Sequence, residues 1–151
     1  MNVHSPLVID LADSLRYRQA CDASTQRVFA ALTQRDLIQA WWRGTVRGLG
    51  TIGGQLQLCL EGTRPGIVVE VTQAADGAVD WLVTDDRGHD GEWRDTVIRF
   101  RVRPCGGTGS IIDFEHEGLT PAAACYETCV WAWQGFLGQL AEVAEGPVKA
   151  P

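Results

Sequence analysis

The chain has 151 residues, of which 45% are hydrophobic and 21% are charged, as expected for one folded domain with a sizeable core. Its formal net charge of −6 argues against a general nucleic-acid role, because phosphate contacts need a basic surface. No apolar run reaches the roughly 18 residues that cross a bilayer, and the N-terminus lacks the pattern of a signal peptide. The 5 cysteines form no C-x-x-C pair, so we expect reduced thiols, no metal site and a cytoplasmic location.

The first third of the chain gives one strand signal and then two helix signals. Residues 15–21 alternate apolar and polar side chains, which predicts a half-buried strand. Ser24 is a candidate helix N-cap, and two short helices are expected between it and Trp41. We expect residues 1–14 to be an N-terminal tail, residues 15–146 a single domain and residues 147–151 a C-terminal tail.

Residues 44–119 carry strand and turn signals. Alternating segments are separated by glycine-rich turns, and Asp76-Gly77 is a strong hairpin signal. Two long strands are predicted at 92–104 and 108–118. The region should therefore hold about six strands.

The last third predicts a single long helix. Thr120 is a candidate N-cap, Pro121 suits the first helical position, and apolar residues then recur at three- and four-residue steps. Gly146-Pro147 supplies the stop. A long helix that follows a many-stranded antiparallel sheet indicates that the sheet curls around the helix and encloses a cavity.

The order of several short segments resembles a known superfamily. They are residues 21–33, Trp41-Trp42, Gly53-Gly54, residues 66–71, Trp81, residues 96–100, Gly109, and residues 114–119 before the terminal helix. This pattern covers residues 15–145 and is similar to the SRPBCC (START-like, birch-pollen-allergen-like) superfamily, in the branch known as activator of heat-shock protein 90 ATPase homologue-like. The resemblance implies an α+β helix-grip fold. In that fold a curved antiparallel sheet of about six or seven strands surrounds a long C-terminal helix, and two short helices follow strand 1.

The resemblance also implies a class of function. Members of the superfamily bind lipid-like or aromatic molecules in the internal cavity, so we expect a small hydrophobic ligand and no cofactor, in a binding protein rather than an enzyme. One alternative is an enzyme of the polyketide cyclase or hydratase type that uses His116. Another is a chaperone co-factor or stress-response interaction module. Exposed sheet edges favour a possible homodimer.

Strand parity predicts which side chains line the cavity. On the last strand Phe114 and His116 share the apolar face, while Glu115 points outward. The same reasoning applied to the neighbouring strands and to the apolar face of the helix completes the set. The candidate ligand-binding residues are Trp81, Thr96, Ile98, Phe100, Phe114, His116, Tyr126, Trp133 and Leu137.

His116 is the candidate with the most chemistry. An inward imidazole in an apolar cavity can act as a general acid or base, or anchor a ligand carbonyl or hydroxyl. It can equally be a structural histidine, hydrogen-bonded to a tryptophan N–H or a backbone carbonyl. No inward carboxylate is evident to orient the ring, and both interpretations stay open.

Overall fold

The computed structural model describes residues 7–11, 14–60 and 64–146, which form one antiparallel sheet of eight strands and three helices. The strands are β1 (Leu7–Leu11), β2 (Ser14–Cys21), β3 (Val46–Gly48), β4 (Gln55–Leu60), β5 (Arg64–Ala75), β6 (Ala78–Asp86), β7 (Val97–Cys105) and β8 (Gly109–Glu117). The helices are α1 (Thr25–Thr33), α2 (Arg35–Trp42) and α3 (Tyr126–Glu145). The strand order is β1-β2-β8-β7-β6-β5-β4-β3. The predicted helix-grip arrangement is confirmed.

The sheet contains one strand that the sequence analysis did not expect. Leu7–Leu11 was assigned to the N-terminal tail, but it pairs antiparallel with β2 from Leu7↔Arg18 to Leu11↔Ser14. Its central Val-Ile pair has high strand propensity, and β2 would otherwise be an unpaired sheet edge. The predicted C-terminal tail, 147–151, lies outside the described residues, and the single-domain boundaries 15–146 stay a prediction.

The start of α3 differs from the prediction, whereas its end agrees. The helix begins at Tyr126 rather than near Thr120, and its N-cap residue Cys125 makes no side-chain cap. The Glu92 carboxylate instead accepts hydrogen bonds from the backbone N–H groups of Ala124 (2.7 Å) and Cys125 (2.9 Å). These two bonds lower the pKa of Glu92. The acceptor for these two amides is therefore more than thirty positions away in the sequence, where local capping rules do not look.

The predicted strand 92–104 begins only at Val97, because the residues before it form a turn. The carboxylate of Asp86, at the end of β6, holds this turn in place. It accepts hydrogen bonds from the backbone N–H groups of His89 (3.0 Å) and Trp93 (2.9 Å). The turn places the Trp93 side chain inside the protein, where it is 1% exposed.

The core lies between α3 and the inner face of the sheet. The residues that α3 buries there are Cys129, Trp133, Leu137, Leu140, Ala141 and Ala144. Helix α2 adds Trp41 and Trp42, which are both buried. Each large apolar side chain removed from water contributes about 1.5–3 kcal/mol. In the described ranges, no helix combines the length and apolarity needed to span a membrane.

Candidate functional site

The nine residues predicted to line a cavity lie together on the inner side of the sheet and on α3. All of them are buried except Tyr126, which is half-buried at the first turn of α3 and packs against the core. His116 is 0% exposed, so its predicted inward orientation is correct. Parity along β7 and β8 was sufficient to find Ile98, Phe100, Phe114 and His116, which are all buried.

His116 makes hydrogen bonds through both of its ring nitrogens. The indole N–H of Trp133 donates to His116 Nδ1 at 3.1 Å. The proton therefore resides on Nε2, which donates to Thr96 Oγ1 at 2.8 Å. The Thr96 hydroxyl in turn donates to the backbone carbonyl of Trp93 at 2.5 Å. This chain of bonds fixes the tautomer and satisfies each polar group in it.

Burial also fixes the charge state of His116. Loss of solvation lowers the pKa of His116 to about 3, with a smaller contribution from His89. The ring is therefore neutral at physiological pH. In this conformation neither ring nitrogen is available to exchange a proton with a substrate. The geometry thus matches the structural interpretation of this histidine.

Aromatic rings fill the space between α3 and the sheet. Trp133 stacks on Trp93 with ring centroids 5.7 Å apart and contacts Phe114 at 4.4 Å. His89 stacks on the other side of Trp93 at 4.1 Å. Neither Trp93 nor His89 was among the candidate residues predicted from the sequence. The Asp86-x-x-His89 spacing was the available signal, since a side chain that caps its own turn uses such a spacing.

One buried polar atom in this region has no partner. The indole Nε1 of Trp81 forms no hydrogen bond with any described residue. The Trp81 ring lies parallel to that of Trp41 and edge-on to that of Phe100. A buried donor without an acceptor costs about 1–3 kcal/mol.

An open groove of about 700 Å³ lies at one end of the helix-covered side of the sheet, and we call it the α1 groove. Its walls are α1, the β5–β6 turn and the end of β7. The lining residues are Thr25, Gln26, Phe29, Ala30, Thr33, Gln34, Asp76, Gly77, Val102 and Pro104. Phe29 and Val102 also pack against the core, so the apolar floor of the groove continues the protein interior.

The β5–β6 turn forms one wall of the α1 groove because Gly77 packs directly against β7. Gly77 accepts a hydrogen bond from the backbone N–H of Val102 at 2.8 Å. Its φ is +78°, and a Cβ there would lie 2.7 Å from the Val102 carbonyl oxygen. The predicted Asp76-Gly77 hairpin is present and needs glycine at this position.

Within the described ranges, no three His, Cys, Asp or Glu side chains are grouped to hold a metal ion.

Comparisons with known proteins agree with this architecture. Solved structures with the same fold include the Aha1 dimer from Colwellia psychrerythraea, with a TM-score of 0.75 and 22% identity over 90% of this chain and 98% of that one. They also include CalU16 from Micromonospora echinospora, with a TM-score of 0.71 and 18% identity over 99% and 80% of the two chains. A protein from Arthrobacter aurescens has a TM-score of 0.72 and 15% identity over 96% and 94%.

At these identities the structural likeness shows the fold alone, and no curated protein matches the sequence. The family model described as Activator of Hsp90 ATPase homolog 1-like protein matches residues 22–145. The match spans most of the chain, from the end of β2 to the last residue of α3. The chain therefore belongs to the Activator of Hsp90 ATPase homolog 1-like protein family.

Proposed function

We propose that this protein binds a small apolar or amphipathic molecule, lipid-like or aromatic, in the α1 groove. The observation that carries the proposal is the groove itself. Its volume of about 700 Å³ falls within the roughly 300–1,000 Å³ of ligand pockets.

The lining of the α1 groove suggests which part of a ligand lies where. Phe29, Ala30 and Val102 offer apolar surface for a ring or a short chain. Gln26 and Asp76 lie at the rim and are exposed, so they suit a hydroxyl, amide or amine at the other end of the ligand. Binding would draw on burial of ligand surface, at about 25 cal/mol per Å², less the ordering costs of association.

The test is a ligand-detected NMR screen of lipid-like and aromatic compounds, followed by affinity measurements on two variants. Ala30→Phe places a ring in the groove and should weaken binding about ten-fold or more by occupying the ligand's space. Ala40→Phe makes the same change at an exposed position of α2 that does not line the groove, and should leave affinity unchanged. Equal affinities in the two variants would remove the groove from consideration.

The packed interior is a second location for the same ligand class, because of the unpartnered indole N–H of Trp81. A ligand with a carbonyl or hydroxyl oxygen would satisfy this donor if α3 moved outward to admit it. Trp81→Phe keeps an aromatic ring but removes the donor. Loss of binding in Trp81→Phe together with full binding in Ala30→Phe would favour the interior over the groove.

We also propose that the chain forms a homodimer, as the Colwellia psychrerythraea relative is described to do. Trp131 on α3 is 76% exposed, and such an exposed indole suits a protein contact. Light scattering should give a dimer mass for the wild type and a lower average mass for Trp131→Glu. A monomer in the wild type would reject this proposal. The cytoplasmic location, the chaperone partner and the cyclase or hydratase activity stay predictions.

A further inference from the structure

A row of side chains crosses four strands on the outer face of the sheet. The strand register places Arg47 opposite Gln57, Gln57 opposite Val68, and Val68 opposite Asp85. Directly opposed residues of an antiparallel sheet point to the same side, so the four side chains share the face away from α3. They line, together with Arg87, a pocket of about 240 Å³, which we call the outer-face pocket.

Among the described residues that line this pocket, the arginines Arg47 and Arg87 outnumber the one carboxylate, that of Asp85. Asp85 lies 3.1 Å from Arg94 and 3.5 Å from Arg87, so one carboxylate is shared by two guanidinium groups. The hydrogen bond from Arg94 is the main cause of the lowered pKa of Asp85. Arg47, on the short edge strand β3, forms no ion pair with any described residue. The described lining thus carries two arginines and one carboxylate, and Arg94 pairs with that carboxylate from outside the lining, in a protein whose formal net charge is −6.

We propose that the outer-face pocket binds the phosphate group of a small phosphomonoester. Arg47 and Arg87 both line the pocket, and two guanidinium groups can each donate to separate phosphate oxygens, which matches the fork geometry of arginine. The Gln57 amide is a further neutral donor between them. The Val68 side chain in the row is short and uncharged, and the pocket volume of about 240 Å³ suits a small ester.

This site lies on the opposite face of the sheet from the α1 groove, so it does not depend on the function proposed above. Its test is an NMR titration of the full chain with glycerol 2-phosphate at fixed ionic strength, followed at backbone amides and at arginine Nε–H groups. Saturable shifts are expected at Arg47 and Arg87. The same titration with inorganic phosphate should show weaker binding at the same groups, and acetate should show none.

Two variants with the same charge change distinguish specific binding in the outer-face pocket from nonspecific electrostatic attraction of the phosphate ester. Arg47→Gln should weaken binding of glycerol 2-phosphate about ten-fold or more, as expected for loss of one charge-assisted hydrogen bond. Arg16→Gln removes another outer-face arginine, one that is paired with Glu115 at 3.1 Å, and should change affinity less than about two-fold. Equal effects of the two variants, shifts spread over all arginines, or acetate binding as tight as the ester would each overturn the proposal.

Discussion

Lowering the pH from about 7.5 to about 5 should destabilise this protein through His116. The ring is buried and neutral in the folded state, where its pKa is about 3, whereas its ordinary value is 6.5. The unfolded chain therefore binds a proton at this position in a pH range where the folded protein does not. Because the folded pKa is depressed, the stabilisation is fully present above about pH 6.5 and is lost progressively as the pH falls toward about 3.

The size of the effect follows from the difference between these two pKa values. At about pH 5, protonation of this one histidine stabilises the unfolded state by about 2 kcal/mol. At about pH 7.5 the same effect is almost zero. For a chain of 151 residues that loss corresponds to a decrease in Tm of roughly 4–8 °C. The carboxylates add their own losses in acid, so the histidine must be isolated by a variant.

Urea unfolding of the wild type and of His116→Gln at both pH values isolates this contribution. The variant is expected to be less stable at each pH because it disrupts the bonds to Thr96 and Trp133. Its further loss on acidification, however, should be smaller than that of the wild type by about 2 kcal/mol. His89→Gln is the control; because His89 contributes less than burial to the lowered pKa of His116, this variant should retain most of the larger loss. If His116→Gln and the wild type lose the same amount, the histidine is not buried in its neutral form.

Three further comparisons test the packing around the site. Trp133→Phe should lower the free energy of unfolding by about 2–4 kcal/mol, because it leaves a gap and an unsatisfied imidazole nitrogen. The same change at the exposed Trp131 should lower it by less than about 0.5 kcal/mol. Equal decreases in urea unfolding would contradict the aromatic core. Gly77→Ala should lower Tm more than Gly106→Ala. Both glycines have positive φ, but only at Gly77 would the added Cβ clash with a backbone carbonyl oxygen. The reverse order would contradict the close packing of the β5–β6 turn against β7. Glu92→Ala should lower Tm and speed amide hydrogen exchange at the start of α3, and unchanged exchange there would argue against its capping role.

The fold was largely predictable because its signals are local and periodic. Alternation along β7 and β8 assigned Phe100, Phe114 and His116 to the inner face, and the Asp76-Gly77 turn was correctly placed. Three- and four-residue spacing predicted α3, and glycine marked its end at Gly146. These features depend on residues that are close in sequence, so the sequence carries them directly.

The wrong start of α3 and the open role of His116 came from contacts between residues that are distant in sequence. Glu92 caps the backbone before α3, and no pattern near Thr120 could show that a carboxylate from another loop satisfies those amides. The partners of His116 come from α3 and from the turn before β7. Its role as a hydrogen-bonded core group was open in the sequence because those side chains meet only in the folded protein.

The location of the proposed site was beyond sequence reasoning for a related reason. Parity identifies which side chains point inward but does not give the space left between them. In the interior, large rings such as those of Trp93 and Trp133 fill that space. The α1 groove arises where α1, a hairpin turn and the end of β7 diverge, which depends on the relative placement of three elements.

The most direct test of ligand binding in the α1 groove is methyl NMR mapping with the tightest-binding compound from the lipid-like and aromatic screen. The methyl groups of Ala30 and Val102 should shift and saturate together, while those of Ile98 and Leu137 in the packed interior should stay unperturbed. Saturating shifts confined to Ile98 and Leu137, or no saturable shift at any methyl group, would contradict the account.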